Sequence, residues 1–273
     1  MNISQIDSGI ISNIKLDKNY YVLKLEAPSM FKDAQPGQFV HVRTCNCGEP
    51  LLRRPFSIHK ITPAKAKSSQ HKFDLDILYE LKGKGTALLS RKQAGEYVNI
   101  LGPLGKGFDC QDLHTKEKTH ILIAGGMGVA PLLFLAHKIS QHSKNKIIVL
   151  IGAANSHKIL CEKDFEDLSC RVHIATEDGS CGFKGMITAF FEKKLLPKAN
   201  QPISVYACGP KAMLTNLAKI CMIKKIPLQV SLEEFMGCGI GACLGCAIET
   251  KAGFKRVCHD GPVFCAEDIS WKF

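Results

Sequence analysis

The apolar positions between Gly9 and Gly102 alternate with polar ones in short runs that are separated by turn signals. A period of two predicts β-strands that turn one face toward a core. The runs are Ile10 to Ile14, Tyr20 to Leu25, Phe39 to Val42, Phe56 to His59, Phe73 to Tyr79 and Tyr97 to Leu101. Short strands at this spacing predict a small antiparallel β-barrel or sandwich.

After Gly102 the pattern changes to apolar strands that alternate with amphipathic helices. Strands are predicted at Ile121 to Ala124, Ile147 to Ile151, Val172 to Ala175 and Ile203 to Ala207. Helices are predicted at Pro131 to Ser140, Glu162 to Leu168, Met186 to Lys194 and Met213 to Lys224. This alternation is typical of an open parallel α/β sheet with helices on both faces.

The last stretch, from Ser231 onward, concentrates glycine and cysteine and predicts a small cluster-bearing module. The 273 residues are enough for two domains and an appendage. We therefore expect an α+β multidomain chain. Its predicted parts are an antiparallel β-barrel over residues 1–105, an α/β domain over 106–229 and the module over 230–273.

Composition narrows the function classes. The chain is 45% hydrophobic and 22% charged, which is ordinary globular usage. A net charge of +11 admits nucleic acid or an anionic cofactor. The basic residues form no more than pairs and no aromatic residues interleave them, so we expect no nucleic-acid binding. The longest apolar run is broken by glycines and Pro131, so no membrane segment is expected. Thirteen cysteines, an odd count, indicate reduced thiols in a cytoplasmic protein.

Four cysteines have an informative spacing: Cys238, Cys243, Cys246 and, after eleven intervening residues, Cys258. The first three match the plant-type ferredoxin pattern that binds a 2Fe-2S cluster. Glycines lie among them and allow the backbone to turn N–H groups toward the sulfurs, namely Gly237, Gly239, Gly241 and Gly245. A structural zinc site and buried free cysteines remain as alternatives.

A second motif, Arg54-Pro55-Phe56-Ser57, lies on a predicted strand. An arginine beside a hydroxyl binds phosphate through charge-assisted hydrogen bonds, and Pro-Phe can pack on a flat ring. The alternative is an edge strand with a solvated arginine.

The third motif is a glycine-rich loop from Gly125 to Pro131, between a buried strand and a helix. Backbone N–H groups at a helix start favour a pyrophosphate. Pro131 replaces the third glycine of the dinucleotide fingerprint, and no acidic residue ends the next strand, where Gly152 to Asn155 stands instead. A common dinucleotide dehydrogenase is therefore disfavoured. The absence of arginine between Gly152 and Lys163 favours NAD over NADP, although Lys158 could meet a 2′-phosphate.

In this order the motifs resemble the ferredoxin-reductase-like flavoproteins, and most closely the electron-transfer subunits of NAD-linked dihydroorotate dehydrogenases. The resemblance covers nearly the whole chain. It rests on Leu51 to Ser57, Gly85-Thr86, Leu101 to Gly105, Ala124 to Pro131, Cys208 to Pro210 with Met213, Glu234 to Cys246 and Val257 to Phe264.

The resemblance implies a site for each of three cofactors. FAD would contact Arg54, Pro55, Phe56, Ser57, Leu78, Tyr79, Glu80, Gly85 and Thr86, where Glu80 departs from the basic residue often found in the family. NAD would contact Gly125, Gly126, Gly128, Val129, Ala130, Pro131, Asp178, Gly179, Ser180, Gly209 and Pro210. Cys208 would assist hydride geometry as the catalytic residue without acting as a nucleophile, and the alternative for it is a buried strand cysteine. The metal ligands would be Cys238, Cys243, Cys246 and Cys258.

Electron counting indicates a relay. A nicotinamide exchanges two electrons, an iron-sulfur cluster exchanges one, and a flavin converts between them. The sequence offers no paired carboxylates or clustered histidines as the acid and base of a substrate pocket, so the chain needs a partner.

The resemblance implies that this partner is a catalytic dihydroorotate dehydrogenase subunit. Electrons would pass from it through the cluster and FAD to NAD+, in pyrimidine biosynthesis. The two chains would form a heterotetramer with two copies of each. The alternatives are a subunit of a related NAD(P)H:ferredoxin or sulfide oxidoreductase and a non-enzymatic redox sensor or zinc module without flavin.

Overall fold

The computed structural model describes residues 3–45, 48–65, 71–110, 118–141, 146–196 and 202–272. The first strands and helix are β1 (Ser4–Asp17), β2 (Tyr20–Ala27), β3 (Phe39–Arg43), β4 (Arg54–Ser57), β5 (Lys60–Pro63), β6 (Phe73–Glu80), α1 (Lys84–Leu89) and β7 (Tyr97–Leu104).

The middle of the chain alternates strands with helices. These elements are β8 (Thr119–Gly125), α2 (Val129–Ser140), β9 (Lys146–Ala153), α3 (Glu162–Asp167), β10 (Arg171–Thr176), β11 (Phe183–Lys184), α4 (Ile187–Phe190), β12 (Ile203–Cys208), α5 (Lys211–Lys224) and β13 (Leu228–Ser231). The last elements are β14 (Ala247–Thr250), β15 (Gly253–Arg256), α6 (Val257–Asp260) and β16 (Val263–Cys265).

The chain divides into two compact units, and the tail contributes to both. The first unit contains residues 1–107, 234–248 and 256–262. The second contains residues 108–233, 249–255 and 263–273.

The first unit is built on a seven-stranded sheet in the order β4-β3-β7-β1-β2-β6-β5, and every neighbouring pair is antiparallel. The strand β1 pairs with β7 over its first half and with β2 over its second half. Alternating apolar residues of these strands, such as Leu23, Leu25, Ile77 and Ile100, are fully buried. The predicted antiparallel β-domain is confirmed.

The second unit is built on a seven-stranded sheet in the order β11-β10-β9-β8-β12-β13-β16. The pairs from β11 to β13 are parallel, as the alternation predicts. The strand β8 is buried along its whole length, in agreement with the apolar run Ile121 to Ala124 within it. The edge strand β16 is antiparallel to β13 and was not predicted, because three residues carry no periodicity.

Two local predictions need correction. The segment Gly85-Thr86, which the resemblance implies to be a turn at the flavin site, lies in the first turn of the helix α1. The predicted helix Met186 to Lys194 is α4 followed by a π-helix over Phe191–Leu195. None of the helices within the described ranges is both long and apolar enough to cross a membrane.

Candidate functional site

The cysteine loop and the returning tail lie together in the first unit. The hairpin of β14 and β15 brings Cys258, on α6, back to Cys246. The N–H of Cys258 donates to Sγ of Cys246 at 3.4 Å, and the N–H of Val257 donates to the Cys246 carbonyl at 3.1 Å. The N–H of Gly241 donates to Sγ of Cys258 at 3.2 Å. The tail therefore returns the fourth cysteine to the loop that holds the other three.

The Cys238 sulfur is surrounded by backbone donors. It accepts hydrogen bonds from the N–H groups of Ile240, Ala242 and Cys243 at 3.3–3.5 Å. Burial alone would raise the pKa of Cys238, but these N–H groups and the Cys243 thiol lower it to about 6. A thiolate is the form that binds iron, so this local fold prepares Cys238 as a ligand.

Hydrogen bonds join the four cysteines in two pairs, because the N–H of Cys243 donates to Sγ of Cys238 and the N–H of Cys258 donates to Sγ of Cys246, each at 3.4 Å. A 2Fe-2S cluster takes four thiolates shared between two irons, so the donor set and its pairing fit that cofactor. Within the described ranges, no three His, Cys, Asp or Glu side chains are arranged about a single metal-ion position.

Glycine is required in this loop because its backbone runs between two histidines. Gly239 has φ +74° and Gly241 has φ +85°. A Cβ on Gly239 would lie 2.4 Å from Nδ1 of His41, and a Cβ on Gly241 would lie 2.9 Å from Cβ of His259. The loop can therefore approach both side chains only without Cβ atoms of its own.

His41 is a site residue that the sequence did not reveal. It is fully buried on β3, where a lone histidine among apolar residues resembles an ordinary core position. Burial first, and the charge of Arg53 second, lower the pKa of His41 to about 4, so the ring is neutral. The His41 ring packs against Gly239 and thereby supports the cysteine loop.

The predicted phosphate motif forms β4, and all four of its residues are half-buried. The Arg54 guanidinium lies against α1, since a Cβ on Gly85 would be 3.0 Å from its Nε. Thr86 Oγ1 accepts hydrogen bonds from the N–H groups of Lys82 at 2.9 Å and Gly83 at 3.1 Å, which fixes the start of that helix. The structure thus brings the Arg54 side chain close to Gly85, at the start of the helix that also contains Thr86.

Arg53 has a different environment. Its Nη1 donates to the carbonyls of His41 at 3.2 Å and Asn99 at 3.0 Å. Arg53 therefore bridges β3 and β7 and supports the sheet.

Two of the flavin-site residues predicted on β6 have side chains that are buried within the protein. The side chains of Leu78 and Tyr79 are buried, and the Tyr79 ring packs against Tyr21 and the edge of Phe56 at centroid distances of 5.3 and 5.7 Å. Tyr79 therefore packs against the Phe56 ring and supports its position. Pairing of β6 with β5 ends at Asp76, so among the described strands the backbone at 78–80 is paired only with β2.

Glu80 forms an ion pair with Lys82. Its carboxylate lies 3.0 Å from Nζ of Lys82. The acidic residue at this position is thus accompanied by a nearby cation.

The glycine-rich loop, residues 125–131, follows β8, and the segment Cys208 to Pro210 ends β12, so both lie at the carboxyl ends of these strands. These strands are adjacent, and the strand order reverses between them, which is where open α/β sheets bind ligands. A Cβ on Gly125 would lie 2.7 Å from Cδ of Pro210, and a Cβ on Gly128 would lie 1.9 Å from the Cys208 carbonyl. The two predicted segments therefore meet, and their glycines leave a cradle of backbone at the start of α2.

The remaining members of this set lie on the same two segments. Gly126 has φ +53° and open space around its Cα. Val129, Ala130 and Pro131 form the buried first turn of α2, where proline needs no N–H partner. Gly209 lies close to Met213, since a Cβ there would be 2.6 Å from its Cε.

Asp178, Gly179 and Ser180 follow β10 and contact a different turn. Ser180 Oγ accepts a hydrogen bond from the N–H of Ser156 at 2.8 Å, and Asp178 Oδ1 accepts from the N–H and Oγ of Ser180. These hydrogen bonds lower the pKa of Asp178. The contacts in the described ranges tie this loop to the turn after β9, next to Lys158, and not to the Gly125 loop.

Cys208 ends β12 and is 2% exposed. Burial first, and the charge of Glu233 second, raise the pKa of its thiol. The group is therefore a neutral thiol at physiological pH, which is unsuited to nucleophilic attack.

Comparison with known proteins identifies the family. The dihydroorotate dehydrogenase B (NAD(+)) electron transfer subunit of Desulforamulus reducens is 37% identical over 270 residues, which covers 97% of this chain and 98% of that protein. The subunit of the same description from Geobacillus kaustophilus is 38% identical over 252 residues, covering 91% and 92%. The chain belongs to the dihydroorotate dehydrogenase B electron transfer subunit family.

Three family models match successive parts of the chain. An oxidoreductase FAD-binding domain matches residues 10–108, and an oxidoreductase NAD-binding domain matches residues 122–219. The iron-sulfur cluster binding domain of dihydroorotate dehydrogenase B matches residues 233–270. This member of the family therefore carries binding domains for FAD, NAD and an iron-sulfur cluster.

Solved structures show how the family relates to other reductases. The NADH-dependent reduced ferredoxin-NADP oxidoreductase, described for flavin-based electron bifurcation, aligns with a TM-score of 0.80 at 26% identity and covers 97% of this chain and 90% of its own. A ferredoxin NADP+ reductase from Neisseria gonorrhoeae aligns with a TM-score of 0.66 at 16% identity, covering 80% and 91%. The second likeness is one of fold.

Proposed function

We propose that this chain is the electron-transfer subunit of an NAD-linked dihydroorotate dehydrogenase in pyrimidine biosynthesis. It takes electrons from a catalytic subunit that oxidises dihydroorotate and delivers them to NAD+. The observation that carries the proposal is the full-length similarity to subunits of that description. When bound, the cluster supplies one-electron transfer, FAD converts between one and two electrons, and NAD+ accepts a hydride.

The cluster would be held by Cys238 and Cys243 at one iron and by Cys246 and Cys258 at the other. The chain's own contribution is a set of backbone N–H groups aimed at the sulfurs, together with the close packing at His41 and His259. Such outer contacts orient the ligands and set how readily the cluster accepts an electron.

The flavin would lie along β4, with Arg54 and the start of α1 neutralising its diphosphate. Phe56, supported by Tyr79, would pack on the flavin ring, and Ser57 and the backbone at 78–80 would offer hydrogen bonds. The half-buried state of β4 and the one-sided pairing of β6 support this assignment.

The dinucleotide would bind at the carboxyl ends of β8 and β12. Gly125 to Pro131 would cradle its diphosphate, and Asp178 to Ser180 would contact the portion near the turn after β9. Cys208, Gly209 and Pro210 would line the nicotinamide, and a neutral thiol at Cys208 would orient the ring without bonding to it.

The larger assembly is also part of the proposal. Residues 1–105 would serve the flavin, 106–229 the nicotinamide dinucleotide and 230–273 the cluster. Two copies of this chain would join two catalytic subunits in a cytoplasmic heterotetramer.

Assembly can be tested directly by co-expression with a catalytic dihydroorotate dehydrogenase subunit from the same cell. Size-exclusion chromatography with light scattering is expected to give a complex with the mass of two copies of each chain. Separate elution of the two proteins at micromolar concentration would contradict the proposed partner.

A related reductase function is the second candidate, because the 26% identity to the NADH-dependent reduced ferredoxin-NADP oxidoreductase covers 97% of this chain. In that case ferredoxin, not the catalytic subunit, would exchange electrons with the purified chain. Rapid NADH-dependent ferredoxin reduction combined with no complex in the co-expression experiment would favour this candidate.

A further inference from the structure

Arg256 joins the returning tail to the cysteine loop. Its Nε lies 3.1 Å from Oδ2 of Asp260 and its Nη2 lies 3.3 Å from Oδ1, so the carboxylate holds the guanidinium from one side. On the other side, Nη1 donates to the carbonyl of Gly241 at 3.0 Å. The planar guanidinium therefore connects α6 to the loop between Cys238 and Cys243.

Gly241 is the residue whose orientation matters for the sulfur ligands. Its N–H donates to Sγ of Cys258 at 3.2 Å, while its carbonyl is held by Arg256. Its φ of +85° and the closeness of His259 leave room for no side chain. The N–H and the carbonyl of Gly241 belong to the two planar peptide units that meet at its Cα, so a guanidinium that holds the carbonyl restricts the rotation that would turn the N–H away from the sulfur.

Asp260 contacts a second side chain besides Arg256. Nδ1 of His259 lies 3.0 Å from Oδ1 of Asp260 and 3.4 Å from Nη2 of Arg256. Asp260 is thus shared between the arginine and the histidine, which restricts the guanidinium to one position.

We propose that Arg256 is a positioning residue that fixes Gly241 so that its N–H bonds the Cys258 sulfur, and that this contact raises the reduction potential of the cluster. The inference rests on the proposed function, because it requires a 2Fe-2S cluster on the four cysteines. Hydrogen bonds to the sulfurs and local net charge both set cluster potentials. Reduction adds negative charge, and a donor pointing at the sulfur favours the reduced state.

The test uses the full chain with its cofactors and compares Arg256→Met with Arg256→Lys. The ratio of reduced to oxidised cluster is followed by electron paramagnetic resonance at fixed applied potentials. Arg256→Met is expected to lower that ratio by about tenfold at the wild-type midpoint, which for one electron corresponds to about 59 mV. Arg256→Lys is expected to lower it in the same direction, because an ammonium lacks the fork that spans Asp260 and Gly241.

Lys251→Met is the matched control, since it removes one positive charge from an exposed position in the hairpin turn of the same tail. Its midpoint is expected to match the wild type. A wild-type midpoint in fully loaded Arg256→Lys would overturn the positioning role, because charge alone would then account for any effect of Arg256→Met. If Arg256→Met does not retain iron, the lysine variant decides. A wild-type chain without iron and sulfide would instead contradict the proposed function.

Discussion

A Cβ atom on Gly239 would lie 2.4 Å from Nδ1 of His41, so the backbone of the cysteine loop at Gly239 packs directly against a buried histidine of the sheet. His41 pairs across β3 and β4 with Pro55, in the centre of the phosphate motif. One strand therefore contacts the cysteine loop through a side chain and the predicted flavin strand through its backbone. The cysteine loop and the predicted flavin strand therefore both contact β3.

The contact makes a strong prediction for Gly239→Ala. The new methyl group would overlap the His41 ring, and the φ of +74° would add about 1–2 kcal/mol of backbone strain. We expect this variant to purify with less than half of the wild-type iron and sulfide.

The double variant Gly239→Ala with His41→Ala separates the two causes. Removing the ring relieves the overlap but not the strain, so iron content should recover in part. No recovery in the double variant would show that the His41 contact is not what excludes a side chain at position 239.

The ligand assignment is tested by Cys238→Ser against Cys265→Ser. Both cysteines belong to the C-terminal region, but Cys265 lies on β16 and is exposed. We expect Cys238→Ser to lose iron, acid-labile sulfide and the visible absorption of the cluster, and Cys265→Ser to keep all three. Full iron content in Cys238→Ser, or zinc without sulfide in the wild type, would refute the 2Fe-2S assignment.

Arg54 is predicted to bind the FAD diphosphate. Loss of a charge-assisted hydrogen bond costs about 1.5–3 kcal/mol, so Arg54→Ala should bind FAD about 10- to 100-fold more weakly and keep its cluster. Arg171→Ala is the control, because Arg171 is exposed at the start of β10. Flavin occupancy after dilution and gel filtration distinguishes them. Equal occupancy in the two variants would place the diphosphate elsewhere.

Binding of the dinucleotide by the loop Gly125 to Pro131 can be tested by substituting two of its glycines. In Gly128→Ala the methyl group would lie 1.9 Å from the Cys208 carbonyl, which is backbone and cannot rotate away. In Gly126→Ala the methyl group meets open space, and the cost is the strain of φ +53°, about 1–2 kcal/mol. We expect a larger rise in the KM for NADH and a lower Tm in Gly128→Ala. The reverse order would contradict the described packing of the two loops.

The sequence allowed much of this fold to be predicted because its periodicities are local. The alternation in β2 reflects burial of one face of the strand, and the apolar run of β8 reflects burial of both faces. Each pattern can be recognised within the strand's own residues. The edge strand β16 and the helix α1 were missed, since three residues of strand and a helix that begins at Gly83-Lys84 leave no repeating pattern.

The candidate site also contains residues that the sequence predicts and residues that it does not. Cys238, Cys243 and Cys246 share one loop, so their spacing alone indicated a ligand set. His41 and Arg256 act through residues far from them in sequence, Gly239 and Gly241, and a lone histidine or arginine gives no signal of such a contact. In each of these two contacts only the glycine could be recognised from the sequence, because glycines in a loop indicate that other atoms pack closely against its backbone.

The central claim is that this chain relays electrons and does not itself oxidise dihydroorotate. The most direct measurement compares two activities, NADH-dependent dye reduction and dihydroorotate-dependent NAD+ reduction, for the purified chain alone and with the catalytic subunit. The account predicts that the chain alone reduces the dye with NADH but shows no activity with dihydroorotate, and that adding the catalytic subunit creates the second activity. Oxidation of dihydroorotate by the chain alone would contradict the account.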